Sequence, residues 1–64
     1  MTVNGQALTL QAEISLGEFL KQQGYDLQTV AVEKNGGIVP KKDFAAEPLV
    51  DTDTLEVVCF VGGG

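Results

Sequence analysis

The chain has 64 residues, and its nine acidic and four basic residues give a formal net charge of −5. A domain of this size buries only about 60% of its unfolded surface, so an enclosed substrate cavity would remove packing that the domain needs, and we expect a protein that is not an enzyme. The negative charge repels the phosphates of nucleic acids and of anionic lipids, so we expect no nucleic acid partner and no membrane partner.

The first predicted element is a β-hairpin around Asn4-Gly5. Both residues tolerate the positive φ angles of a type I′ turn, so strands are expected on either side. Pairing across this turn sets Met1 opposite Leu8 and Val3 opposite Gln6. The residues that then share the core face are Met1, Val3, Leu8 and Leu10.

A short amphipathic helix is predicted next. Ser15 and Glu18 have the spacing of a capping box, in which Ser15 accepts a hydrogen bond from the Glu18 amide and Glu18 reaches back to the Ser15 amide. Gly24 supplies the left-handed residue that ends many helices, so we expect the helix to stop near Gln23, with Tyr25 closing a Schellman motif. An apolar stripe at helical spacing should face the sheet and consists of Leu16, Phe19 and Leu20.

A second hairpin is predicted around Asn35-Gly36-Gly37, between the alternating segment 30–33 and the short segment Ile38-Val39. The stretch from Lys41 to Pro48 has weak periodicity, so we expect its structure to be loosely specified. Two apolar side chains are expected to fill the open end of the sheet here, Phe44 and Leu49.

The last predicted strand runs over residues 55–61, after a tight turn at Asp51-Thr52-Asp53. Side chains alternate along a strand, so the charged Glu56 marks the face that points outward. Val58 and Phe60 share this face, close to the end of the chain. We interpret them as an apolar patch for docking a partner protein.

This order of elements predicts an α+β fold in which a mixed sheet of four to five strands packs on one main helix, with the last strand pairing centrally. It matches the order of a ubiquitin-like β-grasp. We expect residues 1–61 to form this domain and residues 62–64 to form a flexible C-terminal glycine tail.

Few side chains suggest catalysis. The sequence has no histidine, no glycine-rich phosphate loop after a strand and no metal-ligand spacing, so we predict no catalytic residue, no metal site and no bound cofactor. Cys59, on the inward face of the last strand, is interpreted as a packing residue. Asp51 and Asp53 are interpreted as turn residues, and Lys41-Lys42 as a solvated loop. A single cysteine and no readable targeting segment favour the cytoplasm.

The most informative feature is Gly62-Gly63-Gly64, three consecutive glycines directly after a strand. Residues without Cβ can extend through a narrow channel and bring the main chain close to a nucleotide. A terminal carboxylate is ionised at neutral pH and resists nucleophiles, so Gly64 would need activation, and adenylation by ATP provides it. On these residues alone, a frayed terminus without a role is a comparable interpretation.

Three segments together resemble the ThiS family of sulfur carriers in thiamin biosynthesis: Val30–Pro40, Asp51–Val57 and Phe60–Gly64. The resemblance spans nearly the whole chain. It departs from the family pattern at Thr52, where a glycine usually lies between the two aspartates, which should strain that turn slightly.

The resemblance implies that an E1-like adenylating enzyme uses ATP to activate Gly64, that a persulfide sulfur donor then creates a thiocarboxylate, and that thiazole synthase receives the sulfur. Gly62 and Gly63 would thread into these partners, ATP would belong to the adenylating enzyme, and the free carrier would be a monomer. Two alternatives stay open. One is a carrier like the small subunit of molybdopterin synthase, and the other is a β-grasp interaction module with an inert tail.

Overall fold

The structure, a computed structural model, describes residues 1–60 and shows a five-stranded mixed sheet with one α-helix. The strands are β1 Thr2–Val3, β2 Gln6–Ala7, β3 Ile14–Ser15, β4 Val30–Lys34, β5 Gly37–Val39, β6 Pro48–Leu49 and β7 Thr54–Cys59. Helix α1 spans Leu16–Gln22, and one turn of 3-10 helix spans Lys41–Asp43. Neither helix in residues 1–60 has the length and apolar character that a membrane span requires.

The last strand lies in the centre of the sheet. The strand order is β2-β1-β7-β4-β5, with β7 parallel to β1 and antiparallel to β4. Strand β4 pairs with β7 from Leu55 to Cys59, whereas β1 pairs with Thr54 and Leu55, so β7 is an interior strand whose last residues are paired on the β4 side. The sequence prediction of a mixed sheet with a central last strand is confirmed.

Both Asn-Gly turns form where they were predicted. Asn4 and Gly5 have φ angles of 51° and 83°, and Asn35 and Gly36 have φ angles of 53° and 86°. Positive φ at both central residues is the signature of the type I′ turn, whose twist suits a two-residue hairpin. Gly37, expected in the second turn, is already the first residue of β5.

Helix α1 is capped at both ends. Ser15 Oγ accepts a hydrogen bond from the Glu18 amide at 3.1 Å, but within residues 1–60 no side-chain bond returns from Glu18, so only half of the predicted capping box forms. At the other end, the Tyr25 amide donates to the Leu20 carbonyl at 2.9 Å across Gly24, whose φ is 86°. This confirms the predicted Schellman end.

The segment after β5 is better defined than its sequence predicted. Strand β6 pairs with β3 in a second, two-stranded sheet. The segment also satisfies the first helical amides, because Leu16 N–H donates to Glu47 O at 2.7 Å and Gly17 N–H donates to Phe44 O at 2.8 Å. A Cβ on Gly17 would lie 3.3 Å from the Phe44 carbonyl oxygen, so glycine permits this close approach.

One hydrophobic core lies between the helix and the sheet, and it includes the predicted stripe of α1 and both residues predicted to fill the open end. Its buried members are Met1, Leu16, Phe19, Leu20, Val30, Val32, Val39, Phe44, Leu49, Leu55 and Val57. The other three residues predicted for the core face of the first hairpin are half-buried and pack against this core; they are Val3, Leu8 and Leu10.

The side chains of the two turn asparagines also hold β7. Asn4 Oδ1 accepts from the Val57 amide at 2.7 Å, and Asn4 Nδ2 donates to the Val57 carbonyl at 3.1 Å. On the other side of the strand, Asn35 Oδ1 accepts from the Thr54 amide at 2.9 Å, and Asn35 Nδ2 donates to Asp53 Oδ1 at 2.9 Å. Each amide side chain thus takes the place of a peptide group beyond the end of its own strand.

Replacing Asn4 by alanine should lower the free energy of unfolding by roughly 1–3 kcal/mol, because the N–H and C=O of the buried Val57 lose their partner. Asn4→Gly removes the same hydrogen bonds but tolerates the positive φ, so it isolates their share of the loss. Urea denaturation measures both variants, with Gln6→Ala in the same hairpin as an exposed control. Wild-type stability in Asn4→Gly would show that the side-chain bonds contribute nothing.

Candidate partner-docking site

An exposed apolar patch lies on the face of the five-stranded sheet that points away from α1. Its members are Ile38, Val58 and Phe60, with exposed fractions of 77%, 57% and 57%, and we call them the outer patch. Val58 and Phe60 are exposed on the predicted face, while Ile38 was missed. Only the pairing of β4 with β5 shows that Ile38 belongs to this face, because it lies opposite Glu33.

The alternation of β7 explains the patch. Leu55 and Val57 are buried in the core, so Glu56 and Val58 must point outward. Val58 pairs with Ala31 of β4, and Glu56 pairs with Glu33. Between these rows is a shallow depression of about 70 Å³, and Ile38 also lines it. The outer patch and two carboxylates therefore form one continuous surface.

The described chain ends at a member of this surface, shortly before the three glycines in the sequence. The Phe60 amide donates to the Thr29 carbonyl at 2.7 Å, so the pairing with the chain before β4 continues to the last described residue. Gly62, Gly63 and Gly64, and with them the boundary predicted between domain and tail, lie outside the described residues. Their predicted roles stay predictions.

The interpretation of Cys59 as a packing residue is wrong. Its side chain is exposed and its thiol is free, although it follows the inward alternation of β7 and pairs with Val30. Alternation fixes the side of the sheet to which a residue points, but coverage on that side depends on what packs there. Cys59 is the last residue of β7, at an end of the sheet where the core does not cover it.

The turn before β7 contains a buried ionic cluster. Asp53 is only 6% exposed, and its carboxylate accepts hydrogen bonds from the Val50 amide and from Asn35, both at 2.9 Å. Burial alone would raise the pKa of Asp53, but these bonds and the Lys34 ammonium at 3.9 Å lower it below its ordinary value. The hydrogen bond from Lys34 to Glu47, at 2.7 Å, raises the pKa of Lys34 in turn.

Asp51 connects the turn before β7 to the N-terminal part of the chain. Its Oδ1 accepts from the Leu10 amide at 2.8 Å and from the Met1 amine at 3.1 Å. These two bonds lower the pKa of Asp51. The interpretation of Asp51 and Asp53 as structural residues agrees with these contacts, although both bind partners well beyond their own turn.

A surface cleft of about 500 Å³ lies beside the 3-10 helix. Lys41 and Lys42 line it, and both are exposed, as the loop interpretation predicted. Lys41 Nζ donates to the Gln28 carbonyl at 2.6 Å, and Lys42 lies 3.3 Å from Asp43. Within the described part of the chain, no three residues of the metal-binding types come together as a candidate metal site.

A mixed five-stranded sheet with a central last strand and one packed helix is the ubiquitin-like β-grasp fold. The crystal structure of a thiamine biosynthesis protein (ThiS) from Geobacter metallireducens superposes with a TM-score of 0.80 at 32% identity, covering 98% of this chain and 96% of that one. The model of the ThiS family matches residues 1–64. The chain therefore belongs to the ThiS family.

Longer proteins contain a segment similar to this chain. A thiazole synthase from Paramagnetospirillum magneticum is 39% identical over 64 residues, which are 100% of this chain but 20% of that protein. An uncharacterized protein, ycf40, from Pyropia yezoensis is 37% identical over 62 residues, covering 97% of this chain and 87% of that protein. The chain thus spans about a fifth of the thiazole synthase that it matches.

Acid should destabilise the fold through the two aspartates. A carboxylate whose pKa is lower in the folded state stabilises the fold above its unfolded pKa, and this contribution is lost as the pH falls through the folded pKa. The pKa values of Asp51 and Asp53 are both lowered from 3.8, so the free energy of unfolding should fall as the pH approaches and passes below that value. The stability that comes from the raised pKa of Lys34 is fully present below its ordinary value of 10.5 and is lost only at higher pH, so it leaves the acid limb unchanged.

Urea denaturation between pH 7 and pH 2 measures the effect. Asp53→Asn should lower the free energy of unfolding at pH 7, because a donor of the new amide would face Asn35 Nδ2, which is also a donor. It should also flatten the decline in acid, because an amide cannot ionise. Glu13→Gln is the control, since Glu13 is exposed and accepts no side-chain hydrogen bond within residues 1–60. An acid limb as steep in Asp53→Asn as in the wild type would contradict this assignment.

Proposed function

We propose that the protein carries sulfur on the carboxylate of Gly64. An E1-like enzyme adenylates this carboxylate and releases pyrophosphate, and the outer sulfur of a persulfide donor displaces AMP to form an acyl disulfide. A thiol then reduces this disulfide, which leaves the thiocarboxylate, and thiazole synthase receives the sulfur. The observation that supports this most directly is the central position of β7, which lies between β1 and β4 and precedes Gly62-Gly63-Gly64 in the sequence. Membership of the ThiS family supports the same chemistry.

The small size of the domain favours activation on a partner. An acyl adenylate reacts readily with water, so it needs a site from which water is excluded. The described residues form a surface cleft of about 500 Å³, and none of the catalytic constellations sought in the sequence lines it. ATP and the reactive intermediate would therefore be held by the adenylating enzyme, while this chain acts as its co-substrate.

Thiazole synthase is the recipient that the comparisons favour. Two proteins named thiazole synthase each contain a segment similar to 97–100% of this chain. In those proteins a domain of this kind and the rest of the synthase are parts of one polypeptide, so the two have a fixed stoichiometry and a high effective concentration. We propose that this domain contacts the same kind of partner by docking.

The outer patch is the proposed docking surface, as the sequence predicted for Val58 and Phe60. Gly64 follows Phe60 by four residues, so even a fully extended tail reaches roughly 13–14 Å beyond it. A partner that contacts Phe60 would therefore receive the carboxylate within this distance. Apolar contact with both Val58 and Phe60 would fix the direction of the tail without using any residue of the tail itself.

Loading of the tail is directly measurable. Incubation with ATP, the adenylating enzyme of the same organism and a sulfur donor should exchange one oxygen of the Gly64 carboxylate for sulfur, which intact-protein mass spectrometry detects. One residue appended after Gly64 should abolish the exchange and leave the melting temperature unchanged, because the added residue lies beyond the folded core. Loading of the extended chain would contradict the proposal.

The same experiment separates the alternatives. An inert interaction module would acquire no sulfur under any of these conditions. A carrier for molybdopterin synthase would acquire sulfur but would bind the large subunit of that enzyme and not thiazole synthase, and binding measured with each purified protein decides between them.

Val58→Ser should weaken binding to thiazole synthase by about tenfold, because it removes the apolar burial of one side chain from the interface. Val50→Ser is the matched control. Val50 is 42% exposed and lies on the loop before β7, away from the outer patch. Isothermal titration calorimetry with both variants tests the surface, and equal affinities would exclude Val58 from it.

A further inference from the structure

Two carboxylates lie inside the proposed docking surface. Glu33 and Glu56 are direct partners in the antiparallel pairing of β4 with β7, and both are exposed. Residues paired in this way have Cβ atoms about 4.5–5.5 Å apart on the same face. We propose, resting on the docking function assigned above, that the partner presents an arginine from an apolar surface and that its guanidinium binds Glu33 and Glu56 together.

The position of the pair makes it part of any contact with the outer patch. Ile38 lies opposite Glu33 across β5 and β4, and Val58 follows Glu56 by two residues on the same face of β7. The order across the surface is therefore Ile38, Glu33, Glu56, with Val58 beside Glu56. A partner that contacts both Ile38 and Val58 covers the two carboxylates between them.

Covering these carboxylates requires a cation. A carboxylate that loses its water without gaining a partner is strongly unfavourable in a protein interface. This chain supplies no such cation within residues 1–60, because its ion pairs there join the Met1 amine, Lys34 and Lys42 to other acids. Lys34, the neighbour of Glu33 on β4, donates to Glu47 and Pro48 at 2.7 and 2.8 Å. The positive charge must therefore come from the partner.

Arginine fits this surface better than lysine does. A guanidinium is planar and has five donors in a fixed arrangement, so it can bond two neighbouring carboxylates at once. It is also more weakly hydrated than an ammonium group, which lowers the cost of moving it into an interface. The depression of about 70 Å³ lined by Ala31, Ile38 and Val58 provides apolar contact for its stem.

A second copy of this chain is a poor partner for this docking surface. A two-fold interface would bring the outer patch against itself and place four carboxylates together. Each copy also has a net charge of −5, which adds to the repulsion. The charge of the surface thus selects a basic partner.

The test compares two double variants with the same change in charge. Glu33→Gln with Glu56→Gln removes the proposed arginine site, and Glu13→Gln with Glu18→Gln removes two exposed carboxylates elsewhere. Binding to thiazole synthase of the same organism is measured by calorimetry at low and high salt. The first variant should lose at least about tenfold in affinity and most of the salt dependence, whereas the control should bind nearly as the wild type.

The sign of the change decides the outcome. A partner without a cation would bind the Glu33, Glu56 variant as tightly as the wild type, or more tightly, because desolvation would become easier, and this result would overturn the proposal. An equal loss of affinity in both double variants would show that only the net charge matters, and this result would also overturn the proposal. The melting temperature of each variant is measured as well. A value no lower than that of the wild type shows that a loss of affinity does not come from a folding defect.

Failure of this inference can be told apart from failure of the proposed function. A loss of affinity in Val58→Ser without a loss in the Glu33, Glu56 variant would retain the docking surface and reject the arginine. Absence of wild-type binding to thiazole synthase would reject the proposed recipient, and with it the arginine proposal.

Discussion

The fold depends on how the last strand is held. Strand β7 is bonded by β1 on one side and β4 on the other, and an asparagine from the turn after each neighbour continues the bonding with its side chain. Asn4 satisfies both polar groups of Val57, and Asn35 connects Thr54 to Asp53. The residues that reverse the chain in the two hairpins are thus also the residues that fix β7 in the sheet.

This arrangement connects stability with presentation of the tail. A strand at the edge of a sheet can fray or slip, since one row of its backbone groups is unpaired. Strand β7 is paired with β4 from Leu55 to Cys59 and with β1 at Thr54 and Leu55, Asn4 bonds Val57, and the inward residues Leu55 and Val57 are buried in the core. Val58 and Phe60 are therefore held at fixed positions on the outward face, and any partner that recognises them approaches the tail from a defined direction.

Local signals in the sequence predicted the elements well because their causes are local. The two Asn-Gly turns, the Ser15 cap and the Gly24 end each depend on a few neighbouring residues. The pairing of β3 with β6 was missed because it joins two-residue strands that are more than 30 residues apart and have no periodicity. Contacts of this kind arise from the packing of Phe44 and Leu49 and are not encoded in any one segment.

The candidate site was predicted in part for the same reason. Alternation along one strand placed Val58 and Phe60 on the outward face, but it did not show that Ile38 and Glu33 lie beside them, because that requires the register of β5 and β4. It also assigned Cys59 correctly to the inward side but not its exposure, since the strand continues past the end of the core. The register of neighbouring strands is the information that a single sequence did not supply.

The charge distribution gives the two sides of the domain different roles. Three of the four lysines, Lys21, Lys41 and Lys42, line the cleft on the helix side, and the fourth, Lys34, is committed to the buried cluster before β7. The outer face is left with apolar side chains and with Glu33 and Glu56. Under the proposed function, the domain meets several enzymes in turn, so one acidic and apolar surface would require each of them to offer a basic and apolar counterpart. Specificity among these enzymes would then depend on the distance from the docking surface to the reactive site of each enzyme, which the four residues after Phe60 would have to span.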